Sequence, residues 1–155
     1  MPQAFFLISL ASCVFMTGLI WFVQLVHYPM MLSIREDDFD AYRREHMKRT
    51  APVVILPMIL HLASSLALLI WPTRGVPEWL LWIGAGLAGI TWLSTGLLQV
   101  PCYKKLEQEG YSVALLKRLV RTNWVRTIAW TAHSTTLIIY LAQIPYSSTA
   151  RIVIE

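Results

Sequence analysis

Charge is scarce in this 155-residue chain. Asp, Glu, Lys and Arg make up 14% of it, against about 25% in an ordinary soluble domain. There are only two cysteines, seven glycines and eight prolines, which excludes a disulfide scaffold and a collagen-like repeat. No GxSxG, HExxH, CxxC, Walker or glycine-rich dinucleotide fingerprint occurs, so the chemistries that those motifs carry are not announced. The apolar runs contain no acidic residue, which argues against a proton pump built on an intramembrane carboxylate. No inverted similarity relates the halves, which disfavours a secondary transporter acting as a monomer.

What is present is hydrophobic. Fully 56% of the residues are apolar, too many for a disordered chain. The net charge of +4 does not point to nucleic acid, because membrane-length apolar runs separate the basic residues. Four such runs, about 4–26, 52–71, 79–100 and 124–144, are each long enough to cross a bilayer, which takes roughly 20 helical residues. They use most of the chain, so a single integral membrane domain over 1–155 is expected. Prolines 29, 52, 72, 77, 101 and 145 stand at or beyond the run ends, where a missing N–H does least harm. Pro57 lies inside the second run and predicts a kink.

Basic residues orient the spans. Arg35, Arg43, Arg44, Lys48 and Arg49 lie in the 28–51 connection, and Lys104, Lys105, Lys117, Arg118 and Arg121 in the 101–123 connection. The other side has only Arg74 and Arg151. This asymmetry puts both connections in the cytoplasm and both termini on the non-cytoplasmic side, with a bacterial inner (plasma) membrane as the expected location. Leu10–Cys13 matches a lipoprotein cleavage box, but no basic residue precedes it and the apolar run continues beyond it. The expectation is therefore an uncleaved first span.

Both cytoplasmic connections carry helix signals. Ser33 and Glu36 have capping-box spacing, with Phe39, Tyr42, Arg43, His46 and Met47 on one face behind them. Gly110 punctuates the second connection, and Ser112 can cap a helix carrying Val113, Leu116, Leu119 and Val120. Short amphipathic surface helices are expected in both connections. The fold class is thus all-α, a four-transmembrane-helix bundle.

Polar side chains inside a bilayer each need a partner, so their positions are informative. Asn123, Arg126, Trp130, His133 and Leu137 share one face of span four. Thr17, Trp21, Gln24 and Tyr28 do so on span one, with His27 beside them. Span two offers His61 and span three Trp92, Thr95 and Gln99. Gln24, His27, Arg49, Gln99, Asn123 and Arg126 fall in the cytoplasmic third. His61 and His133 each lie nine or ten residues from the cytoplasmic ends of their spans, about 14 Å at 1.5 Å per residue, and so at similar depth near the midplane. The pattern predicts a polar, tryptophan-lined cavity open to the cytoplasm, holding a hydrophobic, aromatic small molecule. Gly84, Ala85, Gly86, Ala88 and Gly89 give span three a small-residue face suited to close packing or a homodimer seam.

Four segments together resemble a known family: Gln24-Leu-Val-His27-Tyr28-Pro29, Met47-Lys48-Arg49-Thr50-Ala51-Pro52, Val100-Pro101-Cys102-Tyr103-Lys104-Lys105-Leu106 and Asn123-Trp124-Val125-Arg126-Thr127. Their order is similar to that of the anthrone-oxygenase-like family of small four-helix integral membrane proteins. The resemblance implies a four-helix membrane fold and oxygenation of a polycyclic phenol without a cofactor. It puts functional positions at His27, Arg49, Asn123 and Arg126.

The residues suit such chemistry. His27 or His61, with an ordinary pKa near 6.5, would deprotonate a phenol. Arg126 with Asn123 or Gln99 would hold the anion, and Trp21, Trp92, Trp124 and Trp130 would sandwich a flat ring. No metal or cofactor is expected, haem on His61 and His133 being the alternative. The competing functions are a non-enzymatic quinone-, lipid- or haem-binding module and a membrane assembly partner.

Overall fold

A computed structural model describes residues 2–143; Arg151 and the end of the fourth expected span lie outside them. Every regular element among the described residues is helical. Helix α1 (Pro2–Phe22) passes through a π-turn at Val23–His27 into α2 (Tyr28–Met31). After a short link, α3 runs unbroken from Glu36 to Ile70. Helix α4 (Glu78–Ser94) passes through a second π-turn at Thr95–Gln99 into α5 (Val100–Glu109). Helix α6 (Val113–Gln143) completes the set.

The π-turns have a local cause. Pro29 and Pro101 bring no N–H and crowd the carbonyl four residues back. Just before each proline the ladder slips to five-residue bonds, with Tyr28 N–H on the Val23 carbonyl and Val100 N–H on that of Thr95. Such widened turns occur often at functional sites. Here they contain Gln24, His27, Thr95 and Gln99.

Three helical stretches are long and apolar enough to cross a membrane: Pro2–Met31, Glu36–Ile70 and Glu78–Glu109. The 35-residue α3 is about 52 Å long at 1.5 Å per residue, roughly 20 Å more than a hydrocarbon core. Its charged first turns, Glu36–Arg49, account for the excess. Helix α6 has the length but not the mean apolarity. Asn123, Arg126, Thr127, His133 and Ser134 are buried on its inner side, while Trp124, Val125, Ile128, Ile138 and Ile139 are exposed on its outer side.

The whole bundle follows that pattern. Leu7, Phe15, Leu25, Leu56, Leu93 and Leu97 face outward, and Ser9, Gln24, His61, Ser64, Gln99 and Arg126 are buried within. A water-soluble domain distributes these classes the other way.

The separate amphipathic helices expected in the connections do not exist as such. Residues 36–50 are the first turns of α3, and residues 113–123 are the first turns of α6. Helix once nucleated propagates at one hydrogen bond per residue, and nothing before Pro52 or Asn123 breaks it. The N-cap of α3 is Arg35, with no side-chain cap bond, so the Ser33 capping box is not formed. Ser112 does cap α6, its Oγ accepting from Leu115 N–H at 3.4 Å. Gly110, at φ 77°, provides the left-handed residue that ends α5.

The four long helices close a ring in which α1 packs on α3 and α6, and α4 packs on the same two. Helices α1 and α4 are thus diagonal, as are α3 and α6. A spacing of 72 residues relates the halves. It takes one π-turn to the other, Pro29 to Pro101 and His61 to His133. Two hairpins of the same element order therefore pack in the same sense about an approximate twofold axis, an arrangement like that of parallel repeats in membrane folds.

Candidate functional site

Inside the basic end of the bundle is a cavity of about 350 Å³. Helix α1, its π-turn and α2 line it with Met16, Leu19, Ile20, Val23, His27 and Tyr28. Helix α3 adds His46, Met47, Thr50, Ala51, Val54 and Ile55. Trp92, Thr95, Gln99, Val100 and Tyr103 form the α4–α5 wall, and Arg126 is the α6 contribution. The walls are largely apolar and the polar groups converge at one end, the usual form of a small-molecule site.

Arg126 is 7% exposed. Its Nε donates to Asn123 Oδ1 at 2.9 Å, Nη2 to the same oxygen and to Tyr28 Oη at 3.2 Å, and Nη1 to Thr95 Oγ1 at 3.4 Å. Every one of these partners is neutral. Among the described residues no carboxylate pairs with it. A guanidinium does not give up its proton in a protein, so this is a buried cation without a counter-ion.

Asn123 is held in turn. Its Nδ2 donates to Gln24 Oε1 at 2.8 Å, and Gln24 Nε2 donates to the Val120 carbonyl at 3.1 Å. Gln24 and Asn123 thus stand behind Arg126 and fix its fork, without lining the cavity.

Two buried cavity atoms have no partner: His27 Nε2 and Gln99 Oε1. Gln99 spends its Nε2 on Thr122 Oγ1 at 3.1 Å. The His27 ring stacks on that of His46 at 4.2 Å, and His46 stacks on Tyr42 at 6.0 Å. Thr50 Oγ1 and His46 Nδ1 share a hydrogen bond of 3.0 Å. A cation, a free imidazole nitrogen and a free amide oxygen therefore border one apolar space.

The other expected residues lie elsewhere. Arg49 is exposed and pairs with Glu45, because its position on α3 faces away from the cavity that Thr50 and Val54 line. Of the four tryptophans expected to sandwich a ring, Trp92 alone lines the cavity. Trp21 and Trp124 pack edge to face at 5.7 Å, and Trp21 Nε1 donates to Thr131 Oγ1. Trp130 lies deeper, its ring 4.4 Å from that of His61.

His61 and His133 do meet, Nε2 to Nδ1 at 2.9 Å, but further along the bundle than the cavity. Gly84 makes room for His133, since a Cβ there would stand 2.7 Å from its Nε2. The small-residue face of α4 is accordingly divided. Gly84 and Ala88 are buried, whereas nothing approaches a Cβ built at Gly86 or Gly89.

Sequence reasoning overlooked His46 and Tyr103 as cavity residues, and placed Tyr28 on the polar face of span one without giving it a role. The repeat spacing carries a usable signal. Tyr28 and Val100 are equivalents, as are Val54 and Arg126, and all four line the cavity.

A scan against protein-family models finds no match, and searches of curated proteins and of solved structures find none either.

Proposed function

We propose that this chain is an integral membrane protein with four transmembrane helices, whose cavity binds a hydroxylated aromatic molecule in its anionic form. The observation that carries the reading is Arg126, a buried guanidinium with neutral partners only, at the polar end of an apolar cavity. Leaving a cation desolvated and unpaired is costly, and a ligand carrying a phenolate or carboxylate would compensate it with a charge-assisted bond. The unpartnered Gln99 Oε1 and His27 Nε2 suit a second hydroxyl on the same ligand.

The fourth span rests on the outer face of α6, where Trp124, Val125, Ile128, Ile138 and Ile139 are exposed. The polarity that lowers its mean hydropathy is turned inward. The basic end of the bundle belongs in the cytoplasm by the positive-inside rule, so the cavity opens to that side of a plasma membrane.

Geometry favours an enzyme of the cofactor-independent oxygenase type over a passive carrier at one point. His27 presents a free ring nitrogen to the same space as Arg126, which is what a base and an anion-stabilising group need. His27 would take the phenolic proton while Arg126 holds the resulting electron-rich anion for attack on oxygen.

Binding is tested by equilibrium titration of the detergent-purified protein with a hydroxylated polycyclic aromatic and with its methyl ether. The free phenol or acid should bind at least about tenfold more tightly, a difference of about 1.4 kcal/mol. Arg126→Gln should abolish the preference. Equal affinity for both ligands in the native protein would refute the anion reading. Oxygen uptake that depends on the bound phenol, lost in His27→Ala, would establish the enzyme. Tight binding without uptake would leave the quinone- or lipid-binding module.

A further inference from the structure

Beyond the cavity, the pseudo-twofold axis brings together a second group of chemically able side chains. One nitrogen each of His61 and His133 and the Cys13 sulfur lie within 4.8 Å of one another, and all three residues are buried. His61 is fully buried and its Nδ1 has no hydrogen-bond partner. Cys13 is a free thiol, 3.2 Å from Ser134 Oγ. We propose that Cys13, His61 and His133 form a three-coordinate site for monovalent copper in the middle of the bundle.

The ligand set and its surroundings select the metal. A thiolate and two imidazoles suit copper, and soft sulfur ligands favour the monovalent ion. Charge points the same way. One thiolate with Cu(I) gives a neutral complex, whereas one thiolate with Zn(II) leaves a net positive charge in a low-dielectric interior, which is expensive. Zinc sites also take a fourth ligand, and among the described residues no carboxylate or second thiol joins the three.

Soft thioethers stand along the cavity and beside the cluster. Met47 lines the cavity towards the basic end, and Met16, one helical turn from Cys13, lines it at the deeper end. Met58 is buried one turn from His61 on the same side. Thioethers bind Cu(I) without bringing charge, so they can pass the ion on without trapping it.

Loading is a closed exchange of protons and ligands. The Cys13 thiol proton leaves to solvent, the proton shared by His61 Nε2 and His133 Nδ1 moves to the far nitrogen of its own ring, and two nitrogen–metal bonds replace the hydrogen bond between the imidazoles. Both rings stay neutral. Gly84 leaves the His133 ring space on the α4 side, where a larger residue would force it aside.

The test uses the full chain in detergent, loaded anaerobically with Cu(I) and washed with a competing Cu(I) chelator. Expected is one copper per chain, with an X-ray absorption shell of one sulfur and two nitrogens. Cys13→Ser and His133→Gln should each weaken binding by more than the roughly tenfold to hundredfold typical of an outer-shell partner. Cys102→Ser should retain the metal. Far-UV circular dichroism and gel filtration identify a variant that has not folded, and the second ligand variant then decides. Copper-free native protein, a preference for Zn(II) under the same competition, or retention of copper in both ligand variants would each overturn the assignment.

Discussion

His61 and His133 stand 72 residues apart in sequence and touch at 2.9 Å, Nε2 to Nδ1, across the diagonal of the bundle. They are equivalent positions of two hairpins, so their contact marks the axis relating the halves. Their equivalence does not extend to the cavity. There Val54 of the first hairpin corresponds to Arg126 of the second, and the single guanidinium makes one half of the molecule chemically distinct.

That asymmetry yields the first prediction. Arg126→Met removes a buried, unpaired charge; Asn123 Nδ2 keeps Gln24 and Thr95 keeps the Thr91 carbonyl, while Asn123 Oδ1 and Tyr28 Oη lose their donor. Relief from desolvating an unpaired cation offsets the cost, about 1–3 kcal/mol, of leaving a buried acceptor without a donor. The variant should therefore unfold no more readily than the native chain in a detergent thermal melt. Its affinity for an acidic ligand should fall by about 2–5 kcal/mol, as when one partner of a buried charged pair is truncated.

The contact at Gly84 gives a stability contrast within one helix. Gly84→Ala places a Cβ 2.7 Å from His133 Nε2, and the ring is pinned by His61. The overpacking should cost about 1–3 kcal/mol. Gly86→Ala meets nothing and should gain up to about 1 kcal/mol from helix propensity. Paired unfolding measurements would show the sign reversal, and two equal losses would contradict the geometry.

At the basic end, Phe39 is fully buried and packs edge to face on Tyr111 at 5.3 Å. Tyr111 Oη in turn donates to the Leu32 carbonyl at 2.9 Å. Phe39→Ala should cost about 3–5 kcal/mol. Arg43 reaches Glu107 at 3.8 Å, but the glutamate side chain is 65% exposed. Glu107→Gln should therefore cost less than about 1 kcal/mol, and equilibrium unfolding of the two variants would rank them.

Filling the cavity separates binding from folding. Val54 lines the space and is half-buried, so Val54→Phe can extend into it without displacing packed neighbours. Ligand affinity should fall at least about tenfold, or 1.4 kcal/mol, with the melting temperature unchanged. Undiminished binding would mean that the ligand sits elsewhere.

The sequence by itself determined the helical class, the apolar character and the ends of the long segments on the side away from the basic connections. Those features are local, since they follow from run length, proline placement and the 3.6-residue period of each helix. It also marked Arg126, His27, Gln99, His61 and His133 as exceptions, because a polar group in an apolar run is visible without coordinates.

Only the tertiary structure decided which exceptions meet. Whether His61 reaches His133, or Arg49 turns outward to Glu45, depends on helix rotation and on which helices are diagonal. Periodicity along one helix carries no information about either. The π-turns rotate His27 and Gln99 by a fraction of a turn that a 3.6-residue count does not register. Tyr28 and Tyr103, which follow the π-turns, reach the cavity wall, whereas Trp21, before the first π-turn, and Trp124, on α6, pack on each other outside it. A reading of single helices distributes the polar residues along the bundle. Packing divides them into two places: an anion-ready cavity around Arg126, and a buried cysteine–histidine cluster on the axis beyond it.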